Sequence, residues 1–248
     1  MLTFLLIALC VAAAYALGSL CSAVIVCKMA KLPDPRTKGS KNPGATNVLR
    51  IAGKQYAALV FIADMLKGLL PIWIAIIFQL NPFWQAVVGL VAVLGHMYPV
   101  FFDFKGGKGV ATSLGVLLGL HPLLGIMAML TWITVAFFSR YSSLASIVTI
   151  TLSPFYALLA FNEQQAFFPL VAIALAVLYQ HKDNMKRLLD SSESKLDFNF
   201  GDINFDKFDL NLSKINLSKF DLDKLKAKFK QFNPGKKSKS KKTNTKSK

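Results

Sequence analysis

Charge is scarce through most of this chain. Its 248 residues are 54% apolar and only 17% Asp, Glu, Lys or Arg. The apolar residues form long blocks rather than alternating, which excludes an ordinary soluble domain. Residues 2–27 contain no charge, and a helix of that length can cross the hydrocarbon of a bilayer. Because no basic n-region precedes them, we expect a retained membrane span rather than a signal peptide.

Several catalytic and metal-binding patterns are also missing. The three cysteines all lie in the first apolar block, where small core residues are a better interpretation than a disulfide or a metal site. We find no metal-ligand spacing and no local signature of a Ser-His-Asp triad. An H-x-x-x-x-D motif is absent, because Phe101, Ile126 and Lys186 stand where the aspartate would be. We therefore expect neither a cofactor nor a metal ion.

The sequence does contain six apolar blocks. Three basic segments and two junctions without cations lie between these blocks, and a fourth basic segment follows the last block. The apolar blocks cover residues 2–27, 56–78, 83–102, 110–138, 143–161 and 166–180. Lys and Arg mark the cytoplasmic ends of membrane spans, so all four basic segments are predicted to lie inside. The junctions at residues 79–82 and 162–165 are then predicted to lie outside.

This sidedness predicts how often the chain crosses the membrane. Each stretch between two basic segments must cross an even number of times, so 56–102 and 143–180 are expected to be helical hairpins. Residues 110–138 must also turn back, either as two short helices or as a re-entrant hairpin, and His121-Pro122 is the expected break. The prediction is an all-α polytopic membrane protein of about seven transmembrane helices, with its N-terminus outside and its C-terminus in the cytoplasm.

The net charge of +16 divides the chain into a membrane domain and a basic C-terminal part. We assign residues 1–190 to the membrane domain. Residues 191–234 form an amphiphilic extension whose rhythm fits neither a helix nor a plain strand. Residues 235–248 contain seven lysines and no apolar residue, and are expected to be disordered. For this tail, contact with anionic lipid is favoured over nucleic-acid binding, because the chain is already anchored in a membrane.

The first basic segment (residues 39–50) and the second basic segment (residues 105–112) both suit an anion. In the first, two glycines and a proline predict a loop, and Arg50 can bind a phosphate in bidentate fashion. A hydrophilic loop with snorkelling cations is an equal alternative. In the second, glycines around Lys108 allow backbone N–H groups to face an anion at a helix N-terminus. It is not a Walker A loop, and a merely flexible turn would not explain its two lysines.

The third basic segment (residues 140–146) and the fourth basic segment (residues 181–188) carry further polar groups. Ser143 and Ser146 stand one helical turn apart, although serines also bond back to their own helix. His181 and Asn184 share the same spacing, and an interfacial anchor is an equal interpretation there. Asp64 and Lys67 lie one helical turn apart in an apolar block and can neutralise each other; a structural pair and direct substrate contact are equal interpretations. We predict that these two residues and His96 lie behind the substrate-binding groups and orient them.

These segments together resemble the bacterial acyl-phosphate-dependent glycerol-3-phosphate acyltransferases. The resemblance covers residues 1–189, and the matching stretches are 39–50, 64–68, 95–112, 140–146 and 181–188. It implies a seven-helix membrane fold with a cytoplasmic active site in the bacterial inner membrane. It also implies transfer of an acyl group from acyl phosphate to the 1-hydroxyl of sn-glycerol 3-phosphate, an early step of phospholipid synthesis. An organic-phosphate transporter is the alternative, but its ionisable residues would lie near the midplane between repeats.

The resemblance also implies roles for individual residues. The catalytic residues would be Ser40, Arg50, Lys108 and His181. The substrate-binding residues would be Gly39, Thr46, Asn47, Gly106, Gly107, Ser143, Ser146 and Asn184. Lys41 stands where the family has glycine, and Lys182 where it has arginine; both substitutions keep or add positive charge. The proton of the attacking hydroxyl would go either to the donor phosphate or to His181.

Overall fold

The structure, a computed structural model, describes residues 1–161 and 164–196. Every regular element in these two ranges is helical, which confirms the predicted all-α fold. The predicted polybasic tail, most of the amphiphilic extension and part of the predicted external junction at 162–165 lie outside the described residues. Predictions for those stretches stay predictions.

Ten α-helices follow one another in the described ranges. They are α1 (Leu2–Gly18), α2 (Ser22–Met29), α3 (Ala45–Ala52), α4 (Lys54–Ile77), α5 (Pro82–Met97), α6 (Val110–Leu120), α7 (Pro122–Ser139), α8 (Ser142–Phe161), α9 (Gln164–Gln180) and α10 (Lys182–Leu189). A short 3₁₀ turn at Val100–Phe102 follows α5. The long helices coincide with the apolar blocks, since a chain in hydrocarbon must satisfy its backbone polar groups internally.

Four stretches are long and apolar enough to cross a membrane as single helices. They are Lys54–Ile77, Pro82–Phe102, Pro122–Ser139 and Ser142–Leu159. The α1–α2 pair would make a fifth span with a bend of 43°, and α6 and α9 are shorter apolar helices. Each predicted membrane segment is therefore helical, while the number that cross and the sidedness of the termini remain predictions.

Two helix breaks divide the apolar blocks. The predicted break at His121-Pro122 is confirmed, because α6 ends one residue before His121 and proline opens α7. Residues 2–27, predicted to form the first membrane span, are interrupted as well, because α1 ends at Gly18 and α2 begins at Ser22. The break between α1 and α2 is stabilised by a residue of another helix, since the ammonium of Lys67 donates to the carbonyl of Leu20 at 2.9 Å.

Small residues let the central helices approach closely. On α6, a Cβ at Gly115 would overlap the carbonyl oxygen of Met65 on α4. On α1, a Cβ at Gly18 would overlap the carbonyl oxygen of Ala92 on α5. Helices in lipid associate through such close packing, because lipid tails are as apolar as the side chains. The outer surface exposes large apolar side chains, as expected for a lipid-facing surface. Trp73, Phe137 and Leu159 are examples.

Candidate active site

Contacts between distant residues bring the four basic segments together at one end of the bundle. Lys108 of the second segment donates through Nζ to Oδ1 of Asn184 in the fourth. Thr46 of the first segment lies 3.4 Å, oxygen to oxygen, from Ser142 of the third. Thr46 and Ser142 are 96 residues apart in the chain, so only the fold makes them neighbours.

In the first basic segment, Asn47 organises the backbone around it. Its Oδ1 accepts from the N–H of Ser40 at 2.9 Å, and its Nδ2 donates to the carbonyls of Pro35 at 2.8 Å and Lys38 at 3.1 Å. The side chain is 1% exposed. Gly39 has a φ of +59°, a conformation that disfavours other residues, and a Cβ there would overlap Asn47. This geometry makes Gly39 and Asn47 positioning residues for the loop that presents Ser40.

The expectation of a loop over the whole first segment is wrong, because α3 begins at Ala45. The positions of Thr46, Asn47 and Arg50 are therefore set by a helix, with Arg50 in its last turn. Ser40 and Arg50 are both exposed. Arg50 also lies near enough to Lys108 to influence its charge.

The second basic segment is held tightly against the end of α5. The N–H of Gly107 donates to the carbonyl of His96 at 3.2 Å. A Cβ at Gly106 would overlap that carbonyl, and one at Gly107 would overlap the imidazole. The two glycines therefore permit a close approach of backbone to His96. This packing role stands beside their predicted role as phosphate binders.

Lys108 is the cation at the centre of the site. It is partly buried, and its hydrogen bond to Asn184 directs the ammonium inward. Burial lowers the pKa of Lys108, and the nearby charges of Arg187 and Arg50 act in the same direction, while Glu193 and Asp183 oppose them. Several cations gathered at one point create a strong attraction for an anionic ligand.

The serines of the third basic segment differ in how their hydroxyls are used. Ser146 donates to the carbonyl of Ser142 at 2.8 Å and accepts from Trp132 Nε1 at 3.0 Å. Ser143 is 6% exposed, and its Oγ makes no hydrogen bond of full geometry. Of the pair, Ser143 therefore has the hydroxyl available for a ligand, whereas Ser146 is engaged within the protein.

His181, in the fourth basic segment, is a buried neutral imidazole. Its Nδ1 lies 2.8 Å from the carbonyl oxygen of Val177. Since a carbonyl only accepts, Nδ1 carries the proton and Nε2 is left as an acceptor. Burial lowers the pKa of His181 to about 4, and the positive charge of Lys108 adds to this effect. The ring can orient a hydroxyl group through Nε2.

The three polar residues predicted behind the site form a buried cluster. Lys67 Nζ lies 2.8 Å from Asp64 Oδ1, and His96 Nδ1 lies 3.5 Å from the same oxygen. All three side chains are at most 6% exposed. The backbone carbonyl of His96 also accepts from the N–H of Gly107. The cluster therefore connects the α1–α2 break with the second basic segment.

Two residues of this site escaped the sequence analysis. Glu193 accepts from Asn184 Nδ2 at 2.6 Å and from Arg187 Nε at 2.7 Å. In the sequence, Arg187 is one of several cations of the fourth basic segment, and no motif surrounds Glu193. Of the residues that the structure describes, no group of three or more His, Cys, Asp or Glu could hold a metal ion.

A helical bundle with an apolar outer surface and a group of cations and polar side chains at one end defines the class of integral membrane proteins. Comparison with known proteins narrows this class. Residues 8–191 match the family described as glycerol-3-phosphate acyltransferase. The chain belongs to this family.

Relatives in several bacteria support the assignment. A glycerol-3-phosphate acyltransferase of Legionella pneumophila (strain Corby) is 54% identical over 184 residues, which are 74% of this chain and 66% of that protein. The chain thus spans about two thirds of the length of the Legionella relatives that it matches. One of Colwellia psychrerythraea is 49% identical over 184 residues, 74% of this chain and 93% of that protein.

Two crystal structures share the fold. Both are of PlsY (YgiH), described as an integral membrane glycerol 3-phosphate acyltransferase, at 39% sequence identity. The glycerol 3-phosphate form has a TM-score of 0.73 and covers 77% of this chain and 96% of that one. The lysophosphatidic acid form has a TM-score of 0.71, with 76% and 94% covered. The chain is thus an all-α integral membrane protein of the acyltransferase family.

Proposed function

We propose that this protein transfers an acyl group from acyl phosphate to the 1-hydroxyl of sn-glycerol 3-phosphate. The products are 1-acyl-sn-glycerol 3-phosphate, which is lysophosphatidic acid, and inorganic phosphate. The observation that carries the proposal is the contact of Lys108 with Asn184, together with the buried hydroxyl of Ser143, which lies near the Glu193 carboxylate that Asn184 also contacts. These groups offer charge and donors to a phosphate at one end of a membrane bundle. The family membership and the two ligand forms of PlsY support the same reaction.

Two phosphate positions would divide the site. Arg50, Lys108 and the loop of Ser40 would hold the phosphate of the donor. Ser143 and Asn184 would hold the phosphate of the acceptor, with Lys108 between the two. Cations at these places neutralise the charge that develops on the leaving phosphate, and positioning of two bound substrates supplies much of the acceleration.

The chemical step needs little from the protein beyond this placement. The oxygen of the acceptor's hydroxyl attacks the acyl carbon, and the bond from that carbon to the phosphate oxygen breaks. The phosphate leaves with the electron pair. With a pKa near 4, His181 is a weak base at neutral pH, which favours the departing phosphate as the final proton acceptor. His181 would then orient the hydroxyl through Nε2.

The protein would act in the bacterial cytoplasmic membrane, with its site on the cytoplasmic face. The basic segments support this placement, because cations mark the cytoplasmic ends of spans. All four of them meet at the same end of the bundle. Water-soluble glycerol 3-phosphate could then reach the site from the cytoplasm, while the acyl chain lies along the lipid-facing surface.

A turnover assay with three donors tests the proposal. Purified protein in detergent should form lysophosphatidic acid from acyl phosphate, and not from acyl-CoA or acyl-carrier protein. Lys108→Ala should lower kcat/KM at least about 30-fold, the effect of about 2 kcal/mol for a lost charge-assisted contact. Lys105→Ala, three residues away and exposed, is the matched control and should keep near-normal kcat/KM. Equal activity of the Lys108 and Lys105 variants would refute the assignment of Lys108.

A further inference from the structure

Just beyond the last residue that matches the family, a carboxylate enters the candidate active site. The match ends at residue 191, and Glu193 follows two positions later. Its Oε1 accepts from Asn184 Nδ2 at 2.6 Å, and its Oε2 accepts from Arg187 Nε at 2.7 Å. The side chain is only 8% exposed. Glu193 is therefore fixed inside the site rather than solvated.

The backbone on both sides of Glu193 is held in place. The N–H of Glu193 donates to the carbonyl of Arg187 at 3.1 Å. Three residues later, the N–H of Leu196 donates to the carbonyl of Arg140 at 2.6 Å, and Arg140 Nε donates back to the carbonyl of Leu196 at 3.2 Å. We call residues 191–196 the strap. It runs from the end of α10 to the third basic segment, so the position of its carboxylate is specific.

The groups that Glu193 contacts are those that suit a phosphate. Burial raises the pKa of the Glu193 carboxyl, but the hydrogen bonds from Asn184 and Arg187, together with the nearby Ser143 hydroxyl, outweigh burial and lower the pKa overall. The Ser143 hydroxyl takes part by proximity, since it lacks a hydrogen bond of full geometry. The positive charge of Lys108, which contacts Asn184, also attracts the Glu193 carboxylate. Glu193 is thus an ionised carboxylate that uses phosphate-binding donors.

We infer that Glu193 is an intramolecular competitor that occupies the subsite for the phosphate of glycerol 3-phosphate. This rests on the proposed function, because the acceptor is the ligand that Glu193 excludes. Two anions cannot share the amide of Asn184 and the hydroxyl of Ser143, so the strap must open before the acceptor binds. The apparent affinity for the acceptor is then reduced by the fraction of molecules that are open. Glu193 sets KM and takes no part in the chemical step.

Glu193→Gln tests the inference in the full-length protein, because it keeps the size of the side chain and removes its charge. If the strap is closed in about nine-tenths of molecules, KM for glycerol 3-phosphate should fall about tenfold while kcat stays within about twofold. Asp190→Asn is the matched control, since it removes the same charge from an exposed neighbouring side chain and should leave KM unchanged. Glu193→Asp keeps the charge but shortens the reach, and should give a smaller fall.

Other outcomes would overturn the inference. An unchanged or higher KM in Glu193→Gln would mean that Glu193 organises Asn184 and Arg187 for substrate instead of competing with it. Equal decreases of KM in Glu193→Gln and Asp190→Asn would mean that the overall negative charge, rather than the position of Glu193, weakens binding of the acceptor. If Glu193→Gln unfolds at a lower temperature in detergent than Glu193→Asp, KM is measured on Glu193→Asp instead. An unchanged KM for glycerol 3-phosphate in that variant overturns the inference.

Phosphate binding separates this inference from the proposed function. Calorimetry with inorganic phosphate, without any donor, should show about tenfold tighter binding to Glu193→Gln than to the unsubstituted protein. Absence of turnover with every donor would sink the proposed function, yet this comparison would still test Glu193. Normal turnover together with equal phosphate binding by both proteins would overturn only the role of Glu193.

Discussion

His181 shows how the protein environment selects one state of a side chain. The imidazole is 3% exposed and donates from Nδ1 to the carbonyl of Val177. Burial disfavours the charged ring, and Lys108 repels a positive charge there. Near neutral pH the residue therefore presents an unprotonated Nε2 to the site. A neutral acceptor of this kind orients a hydroxyl well but removes its proton poorly.

This state of His181 can be measured by nitrogen NMR of histidine-labelled protein in detergent. We expect the His181 signal to report neutral imidazole with the proton on Nδ1 from pH 8 down to about pH 5, and protonation only near pH 4. His181→Gln identifies the signal by its disappearance. A midpoint near 6.5, the ordinary value for histidine, would contradict the assignment and would make His181 an effective base at neutral pH.

The same shift links His181 to the stability of the fold. Its pKa is lower in the folded than in the unfolded chain, so the unfolded chain binds more protons between about pH 6.5 and pH 4. The contribution of His181 is fully present above pH 6.5 and is lost as the pH falls through this window. His181→Gln should therefore unfold with a weaker pH dependence there.

At the scale of helices, α4 stabilises the break between α1 and α2. Lys67 on α4 donates to the carbonyl of Leu20 in the α1–α2 break and pairs with Asp64 at 2.8 Å. The break leaves carbonyl groups without helical partners, and an unpaired carbonyl in a dry interior is unfavourable. One ammonium thus satisfies both a buried carboxylate and a backbone carbonyl of another helix.

Removal of this ammonium should destabilise the bundle. Lys67→Met leaves Asp64 as a buried charge without its lysine and Leu20 with an unsatisfied carbonyl, so we expect a loss of about 3–5 kcal/mol in the free energy of unfolding. Denaturant unfolding in detergent, followed by circular dichroism, measures it. Leu66→Met, at the adjacent exposed position on α4, is the control and should change stability by less than about 1 kcal/mol.

A double variant tests the cause of that loss. Asp64→Asn combined with Lys67→Met removes both charges, and should recover part of the stability lost in Lys67→Met alone. If Lys67→Met matches the Leu66→Met control, the pair does not stabilise the break. If the double variant is less stable than Lys67→Met by the full effect of Asp64→Asn, the two side chains act independently.

Within the residues that the structure describes, the four basic segments meet at one end of the bundle. The junctions at 79–82 and 162–165 carry no cations in the sequence and are predicted to lie at the other face of the membrane. The predicted sidedness of these ends can be tested by cysteine labelling in intact cells. In a variant without the three native cysteines, single cysteines at Asn81 and Gln164 should react with an impermeant reagent added from outside. A cysteine at Lys105 should react only after the membrane is opened. Reaction of position 105 in intact cells would reverse the topology.

Local properties of the sequence were sufficient for much of this architecture. The apolar blocks predicted where the helices lie, because hydrocarbon leaves a spanning segment little alternative to helix. Proline after His121 predicted the break between α6 and α7, because proline disrupts the preceding turn through its own ring. The glycines and cations around Lys108 indicated an anion site, since those residue types have that chemistry wherever the fold places them.

Tertiary structure decided the features that depend on partners distant in the chain. The sequence analysis did not predict the α1–α2 break, which is stabilised by Lys67, 47 residues after Leu20. The fold likewise determined that Gly106 and Gly107 lie against His96, that Ser146 is engaged by Trp132, and that Ser143 is left unpaired. The sequence shows which groups can bind a phosphate. Packing alone brings Glu193 to them, because a carboxylate reveals its partners only when helices far apart in sequence meet.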